Sequence, residues 1–320
     1  MSQPVKLIVS GSPHLKERVK TSHIMRDVIM GLIPAAGASI YFFGISAAIL
    51  IFNCIVTALI TERIINQIRK QKNSLSDYSA AVTGLLVALI LPPSIAWYGA
   101  TMGAVFAILV GKHLFGGLGS NIFNPALLGR AFLAAAYPKM LTTYISPSQP
   151  DAITEATPLM LQKFSHKLTS LDKLFLGDVS GSLGETSAIC LLVGGVYLLL
   201  RKSAGWRIPV SLLVTVILIS TVGYLINPNF GAPIFHLLAG GLLLGTFFMA
   251  TDPATTPVTI KGRFIFGATC GILIMLIRYF SNLPEGVMYS ILFCNALVPL
   301  INRYTRPKAF GRGRKDERSS

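Results

Sequence analysis

The sequence predicts an all-α polytopic membrane protein of about ten transmembrane helices, set in two inverted five-segment halves with broken helices. Three observations lead there. Hydrophobic residues make up 52% of the 320-residue chain against 13% charged, with a mean hydropathy of +0.62. The apolar residues are gathered into long runs, as a bilayer demands of a backbone that lipid cannot hydrogen-bond. Ten such runs also return the chain to the side on which it began. The formal net charge of +15 fits cytoplasmic loops of a membrane protein. No aromatic–basic interleaving points to nucleic acid, so none is expected as a partner.

The first run, about Ile29 to Phe43, follows a basic tail (1–26) with Lys6, Lys16, Arg18, Lys20 and Arg26. That tail is long for a signal-peptide n-region, so no cleaved signal is expected. The second run, about Ile45 to Ile60, ends in Arg63, Arg69, Lys70 and Lys72. The third, Ala80 to Leu91, stops at Pro92-Pro93. The fourth, Ile95 to Val110, closes with Lys112. A Gly/Asn-rich stretch, Gly116 to Asn124, precedes the fifth, which reaches Tyr137 and completes the first half (27–137). A polar interval (138–182) follows.

The second half (183–302) opens at Gly184-Glu185 and enters a sixth run to Leu200, closed by Arg201, Lys202 and Arg207. The seventh spans Ile208 to Leu225 and the eighth Ile234 to Ala250, stopping at Thr251-Asp252-Pro253. The ninth is Phe264 to Ile277, the tenth Val287 to Ile301, before a basic tail (303–320). Gly99-Ala100-Thr101-Met102-Gly103 recurs as Gly267-Ala268-Thr269-Cys270-Gly271, and Asn124-Pro125-Ala126-Leu127 is echoed by Asn295-Ala296-Leu297. Five plus five segments invert one half against the other, a transporter arrangement.

Charge tests the topology. With the termini inside, 22 of the 28 Lys/Arg fall on the inner side. Only Lys139, Lys163, Lys167, Lys173 and Arg278 fall outside, and Arg130 lies within a segment. This bias predicts cytoplasmic termini and puts the polar interval on the outer face of a bacterial or archaeal plasma membrane.

Ionisable groups inside apolar runs are functional candidates because burying them is costly. Asp27 suits a helix entrance. Arg130 opens a helix, where a cation needs an acidic or phosphate partner. Glu185 reads as a helix N-terminal residue capped by Ser182, or as a site residue. In Thr251-Asp252-Pro253-Ala254-Thr255-Thr256-Pro257 two prolines break a helix, and Asp252 and Thr255 are candidates for an ion path. Cys54, Cys190, Cys270 and Cys294 read as buried small hydrophobes, and the five histidines as mostly interfacial or solvated. Thr157 before Pro158 is, on its own, a helix start. Walker, zinc-protease and Rossmann motifs are absent.

Three motifs occur in order: Gly117-Leu118-Gly119-x-Asn121-x-Phe123-Asn124-Pro125-Ala126, Gly181-Ser182-x-Gly184-Glu185-x-Ser187 and Ala250-Thr251-Asp252-Pro253. With Ser12-Pro13-His14 they resemble the family of RnfD and NqrB, over nearly the whole chain, and the short N-terminus is nearer the RnfD branch. These are membrane subunits of the Rnf ferredoxin:NAD oxidoreductase and of the sodium-pumping NADH:quinone oxidoreductase. The resemblance implies an electron-transport translocase subunit that is not catalytic alone. It implies neighbouring Rnf subunits, a flavin transferase for maturation, membrane lipid, and Na+ or H+ as the translocated ion.

In that family a threonine ending Ser/Thr-Gly-Ala-Thr bears FMN through a phosphoester. The matching stretch is Thr154-Glu155-Ala156-Thr157, with Glu155 in place of glycine. The resemblance therefore assigns covalent FMN to Thr157, with Thr154 as the second hydroxyl; by its chemistry, Asp151 is a candidate to hold a metal or the hydroxyl during transfer. Asn121, Asn124 and Arg130 are candidates for a flavin pocket or for packing and Glu185 is a further candidate for flavin binding, with room for a second flavin such as riboflavin. The remaining readings are a quinone-reducing NqrB-like subunit and a stand-alone solute transporter or channel.

Overall fold

A computed structural model describes residues 21–70, 74–147, 155–283 and 285–307, and every regular element among them longer than an isolated bridge is helical. The helices are α1 (Thr21–Phe43), α2 (Ile45–Ile68), α3 (Ser79–Leu89), α4 (Trp97–Phe106), α5 (Pro125–Ala136), α6 (Pro138–Thr142), α7 (Pro158–Ser165) and α8 (Leu171–Leu176). They continue with α9 (Ala188–Leu200), α10 (Arg207–Ile226), α11 (Pro233–Leu238), α12 (Leu242–Leu244), α13 (Ile260–Phe280) and α14 (Val287–Thr305). α4 and α12 run on as π-helical turns, Ala107–His113 and Gly245–Met249.

Four helices, α1, α2, α10 and α13, are long and apolar enough to cross a bilayer, and the bent pair 228–238 and 242–249 makes a fifth span if counted as one. Their outward faces carry bare hydrophobes such as Phe52, Leu225 and Ile226, as lipid-facing helices do. α3, α5 and α9 have only 11, 12 and 13 residues. At 1.5 Å per residue they fall short of a ~30 Å hydrocarbon core.

The run read as an eighth segment does not stay whole. α11 ends with Ala239 extended, Gly240 takes φ +71, and α12 leaves at a bend of 47°. Glycine reaches that left-handed conformation without steric cost. The break exposes backbone groups that two charged side chains take up. Arg278 donates to the carbonyls of His236 (2.6 Å) and Ala239 (2.9 Å) at the end of α11. Glu285 accepts from Gly241 N–H (2.6 Å) at the start of α12. Each charge has the sign that the facing helix terminus favours.

The proline-marked breaks are also pinned. Past α3, the Leu91 carbonyl accepts from Leu183 N–H (3.0 Å), while Ser39 Oγ donates to the carbonyls of Leu183 and Ala35 (2.7 Å each). Past Met249, Thr251 Oγ donates to Phe247 O (2.6 Å) and Asp252 Oδ1 accepts from Ala254 N (3.2 Å). The two asparagines of the internal echo meet here. With its amide oriented to suit both neighbours, Asn295 accepts from Asn124 N–H (3.1 Å) and donates to Thr255 O (3.3 Å).

Three placements differ from the sequence reading. Arg278 is not in an outer loop but buried in α13. His113 and His236 are buried, whereas His23 and His166 are exposed. Asp27 is no simple helix-entrance charge: it joins α1 to the end of α9 through Ser203 Oγ (2.5 Å), Tyr197 OH (3.4 Å) and Arg201 (3.5 Å).

α1 and α9 pack backbone to backbone where Gly31 meets Gly194, and a Cβ on Gly194 would overlap the Gly31 carbonyl. Small residues permit such approach between membrane helices. Gly194→Val is therefore expected to cost about 3 kcal/mol, the upper end for overpacking. The measurement is the amount of protein recovered from membranes. Wild-type recovery would show that α1 and α9 do not approach this closely.

Candidate functional site

Thr157 lies at the N-terminus of α7, where its extended backbone (φ −65, ψ 157) stops helical continuation and Pro158 supplies the preset φ of a first turn. Its Oγ accepts from Met160 N–H at 3.4 Å, a long capping bond. The side chain is 8% exposed, because α7 folds back on the bundle. Lys163, nearly two helical turns on, donates to the carbonyls of Arg278 (2.8 Å), in the last turn of α13, and Leu283 (3.0 Å), just past it. Burial there draws the Lys163 pKa down from its usual value. Ser180 Oγ donates to Ala156 O (3.0 Å) from the other side.

Cavities lie on both sides of this segment. A polar cleft of about 690 Å³ is bordered by Glu155, Ala156 and Pro158 together with Ser146, Lys173 and Ser180. An inner pocket of about 280 Å³ is lined by Thr157, Tyr144, Glu185, Gly240 and Glu285. Behind it stands Arg130, whose Nη2 donates to Glu285 Oε2 at 3.2 Å and whose Nη1 lies 3.9 Å from Glu185 Oε1. Arg130 thus has the acidic partners that its position demands. Glu185 sits in a short 3₁₀ turn whose start, Ser182, makes no side-chain capping bond. The expected Ser182 cap is absent.

Asn121 and Asn124 are not near Thr157. They line a separate cavity of about 680 Å³ with Ser79, Lys112, Thr251 and Asp252, among apolar Met25, Val28, Val82, Leu86, Leu118 and Phe248. α1 joins the two regions. Its first turns (Ile24, Met25) border this cavity, while Phe42 lies against Gly177 of the loop beyond α8. The 18 residue steps from Ile24 to Phe42 put these two ends of α1 about 27 Å apart. Both asparagines are already engaged. Asn121 accepts from Gly119 N–H (3.2 Å), and Asn124 caps α5 through Ala126 and Leu127 N–H (3.1 and 3.3 Å) while donating to Met249 O (3.4 Å). Arg130 does not border that cavity. Asp252 is on its wall, and Thr255 is buried nearby with its Oγ1 lacking a hydrogen-bond partner. Asp151 and Thr154 lie outside the described residues.

One cluster escapes the sequence reading. Lys112 Nζ donates to both carboxylate oxygens of Glu62 (2.7 Å each) and to Ser79 Oγ (2.5 Å), at 2% and 0% side-chain exposure for the two ions. Ser74 also bonds Glu62, and Asn66 donates to Ser74 (2.9 Å). The sequence carries the signal, an acid and a base at the ends of the second and fourth apolar runs. It is indistinguishable there from ordinary inner-face charge.

Broken helices whose ends are held by buried ionic side chains, beside two cavities at opposite ends of the bundle, define a helical membrane protein built around sites within its fold. Residues 8–311 match the model of the NQR2, RnfD, RnfE family. The chain is 43% identical over 316 residues to the D component of the proton-translocating ferredoxin:NAD(+) oxidoreductase complex of Clostridium ljungdahlii, covering 95% of this chain and 96% of that one. It is 42% identical over 311 residues to the Na(+)-translocating counterpart of Acetobacterium woodii, covering 96% of each. To the D component of the ion-translocating oxidoreductase complex of Salmonella arizonae it is 37% identical, covering 95% and 98%. The chain belongs to the NQR2, RnfD, RnfE family.

Proposed function

We propose that this chain is the membrane electron-transfer subunit of an Rnf complex, which couples ferredoxin:NAD electron transfer to Na+ or H+ translocation, and that it carries FMN as a phosphoester on Thr157. The observation that carries the reading is the site of Thr157: a hydroxyl at a helix N-terminus, flanked by a cleft large enough for a ring system. Phosphate oxygens at that terminus are favoured by the exposed N–H groups of the first turn. Bound there, FMN supplies one-electron chemistry, and the protein supplies position and field. α7 holds the attachment point through Lys163 and Ser180. Glu155 stands on the rim of the cleft beside it.

A second flavin, riboflavin in kind, is assigned to the cavity that Asn121 and Asn124 line, on the chemistry of its walls. Its walls are mainly apolar, with Asn121, Asn124, Ser79 and Thr251 as oriented polar groups, the composition expected of a cofactor pocket. The chain is further taken to be arranged in ten segments, five plus five and inverted, a reading supported by the meeting of Asn124 and Asn295. Cytoplasmic termini put Thr157 on the outer face. Two relatives are named for different ions, so the coupling ion is left as Na+ or H+. An NqrB-like quinone reductase subunit is the second reading, favoured by the same family match. The solute channel has no observation of its own.

The test is direct. Protein co-expressed with a flavin transferase and run on a denaturing gel should give a fluorescent band, and a dark band under those conditions ends the covalent-flavin reading. Asp252→Asn is expected to leave that band intact while lowering ion pumping in membrane vesicles severalfold, because it removes a charge from a cavity wall. Pumping at the wild-type rate would take Asp252 out of the ion path.

A further inference from the structure

The pocket beneath Thr157 holds an unusual residue. The Glu185 side chain is only 9% exposed, yet its Oε1 has no hydrogen-bond partner and the residue borders the pocket. Arg130 is 3.9 Å away, beyond hydrogen-bond reach, and gives its closer contact to Glu285. Arg278, the other nearby cation, directs its terminal nitrogens to the carbonyls of His236 and Ala239. Arg130 thus serves two carboxylates with one hydrogen bond, given to Glu285, and Glu185 Oε1 is left facing a cavity. A buried carboxylate oxygen without a hydrogen-bond partner is costly.

The pocket's polar side chains are Tyr144, Thr157, Glu185 and Glu285, all oxygen donors. No histidine or cysteine is among its described lining residues, which disfavours transition metals. Magnesium needs near-ideal octahedral geometry and dehydrates reluctantly, which a pocket of about 280 Å³ between helix ends suits poorly.

We propose that this pocket is a sodium site, with Glu185 as its principal ligand and Glu285, Thr157 and Tyr144 completing an all-oxygen shell. The site lies where the α11–α12 break, the loop before α14 and α7 converge, so an ion there neutralises Glu185 and sits beside the group that Thr157 carries. The redox readout of the test rests on attachment at Thr157; the site itself does not. One electron delivered to the attached group adds one negative charge beside the pocket, and one Na+ entering from the aqueous face cancels it. Nothing else is consumed. Coupling of this kind is reciprocal, so Na+ must favour reduction.

The experiment is a redox titration of the covalent flavin in the purified complex, with NaCl replaced by KCl or choline chloride at constant ionic strength. The midpoint should rise with Na+, approaching ~59 mV per tenfold change for one ion per electron, and K+ should not substitute. In Glu185→Gln the Na+ response should vanish while the gel band stays fluorescent. A wild-type midpoint indifferent to Na+, or one that follows pH alone, overturns the sodium site. So does a full Na+ response retained in Glu185→Gln. If no fluorescent band forms, the attachment reading has failed separately. The site is then judged by 22Na+ binding to the complex, where Glu185→Gln must lose one bound ion per complex.

Discussion

Thr157→Asn should give a stable protein whose band on a denaturing gel is dark. The substitution separates two jobs of one hydroxyl. Thr157 Oγ caps α7 through Met160 N–H, and losing a cap costs about 0.5–2 kcal/mol. A dark band from Thr157→Val or Thr157→Ala is therefore open to a folding explanation. Asparagine is as good an N-cap as serine and better than threonine, yet it offers no hydroxyl for a phosphoester. Thr157→Ser keeps both and should retain a band. Flavin content is read from in-gel fluorescence, and folding from recovery of the protein in membranes. A fluorescent Thr157→Asn band would move the attachment elsewhere, with Thr154 the first position to examine.

The second large effect is expected at the buried pair. Lys112→Met should destabilise the protein by about 3–5 kcal/mol, since it strands the Glu62 carboxylate among helices with no cation to match it. Glu62→Gln strands Lys112 and should cost a similar amount. The double variant should recover much of the loss, because removing both charges removes the desolvation cost with them. Thermal unfolding of the purified complex checks this. Additive losses in the double variant would show that the two residues do not act as a pair. The cavity makes the result informative beyond stability. Lys112 and Ser79 border it, so Lys112→Met also alters the field that any bound group meets.

Much of this arrangement was legible because lipid imposes simple rules. Runs of apolar residues, Pro92-Pro93 and Asp252-Pro253 mark helices and breaks by covalent chemistry alone, and the structure has helices and breaks at those places. The break at Ala239–Gly241 was not legible. It lies inside an unbroken apolar run with no proline, and two adjacent glycines there look like ordinary membrane packing. What makes it a break is Arg278 and Glu285, which come from later in the chain. Arg130 could be flagged as a cation in need of a partner, but Glu185 and Glu285 are far along the sequence, and only the fold shows that they converge. Thr157 shows the reverse. Its helix start followed from Pro158, its assignment from the resemblance, and its burial from Lys163 docking on α13, which composition does not encode.

Arg278 has a consequence for how the protein is made. Inserted alone, α13 would bring a cation near its C-terminal end with no partner in lipid, and its long side chain would reach back to the aqueous face. The carbonyls of His236 and Ala239 that later hold it exist as acceptors only once the preceding segment has broken. The order of synthesis delivers that segment first. The final depth of α13 is therefore set after its own insertion, when the guanidinium exchanges water for the end of α11. Assembly on this side of the protein is a docking step, distinct from the partitioning of each helix into the bilayer.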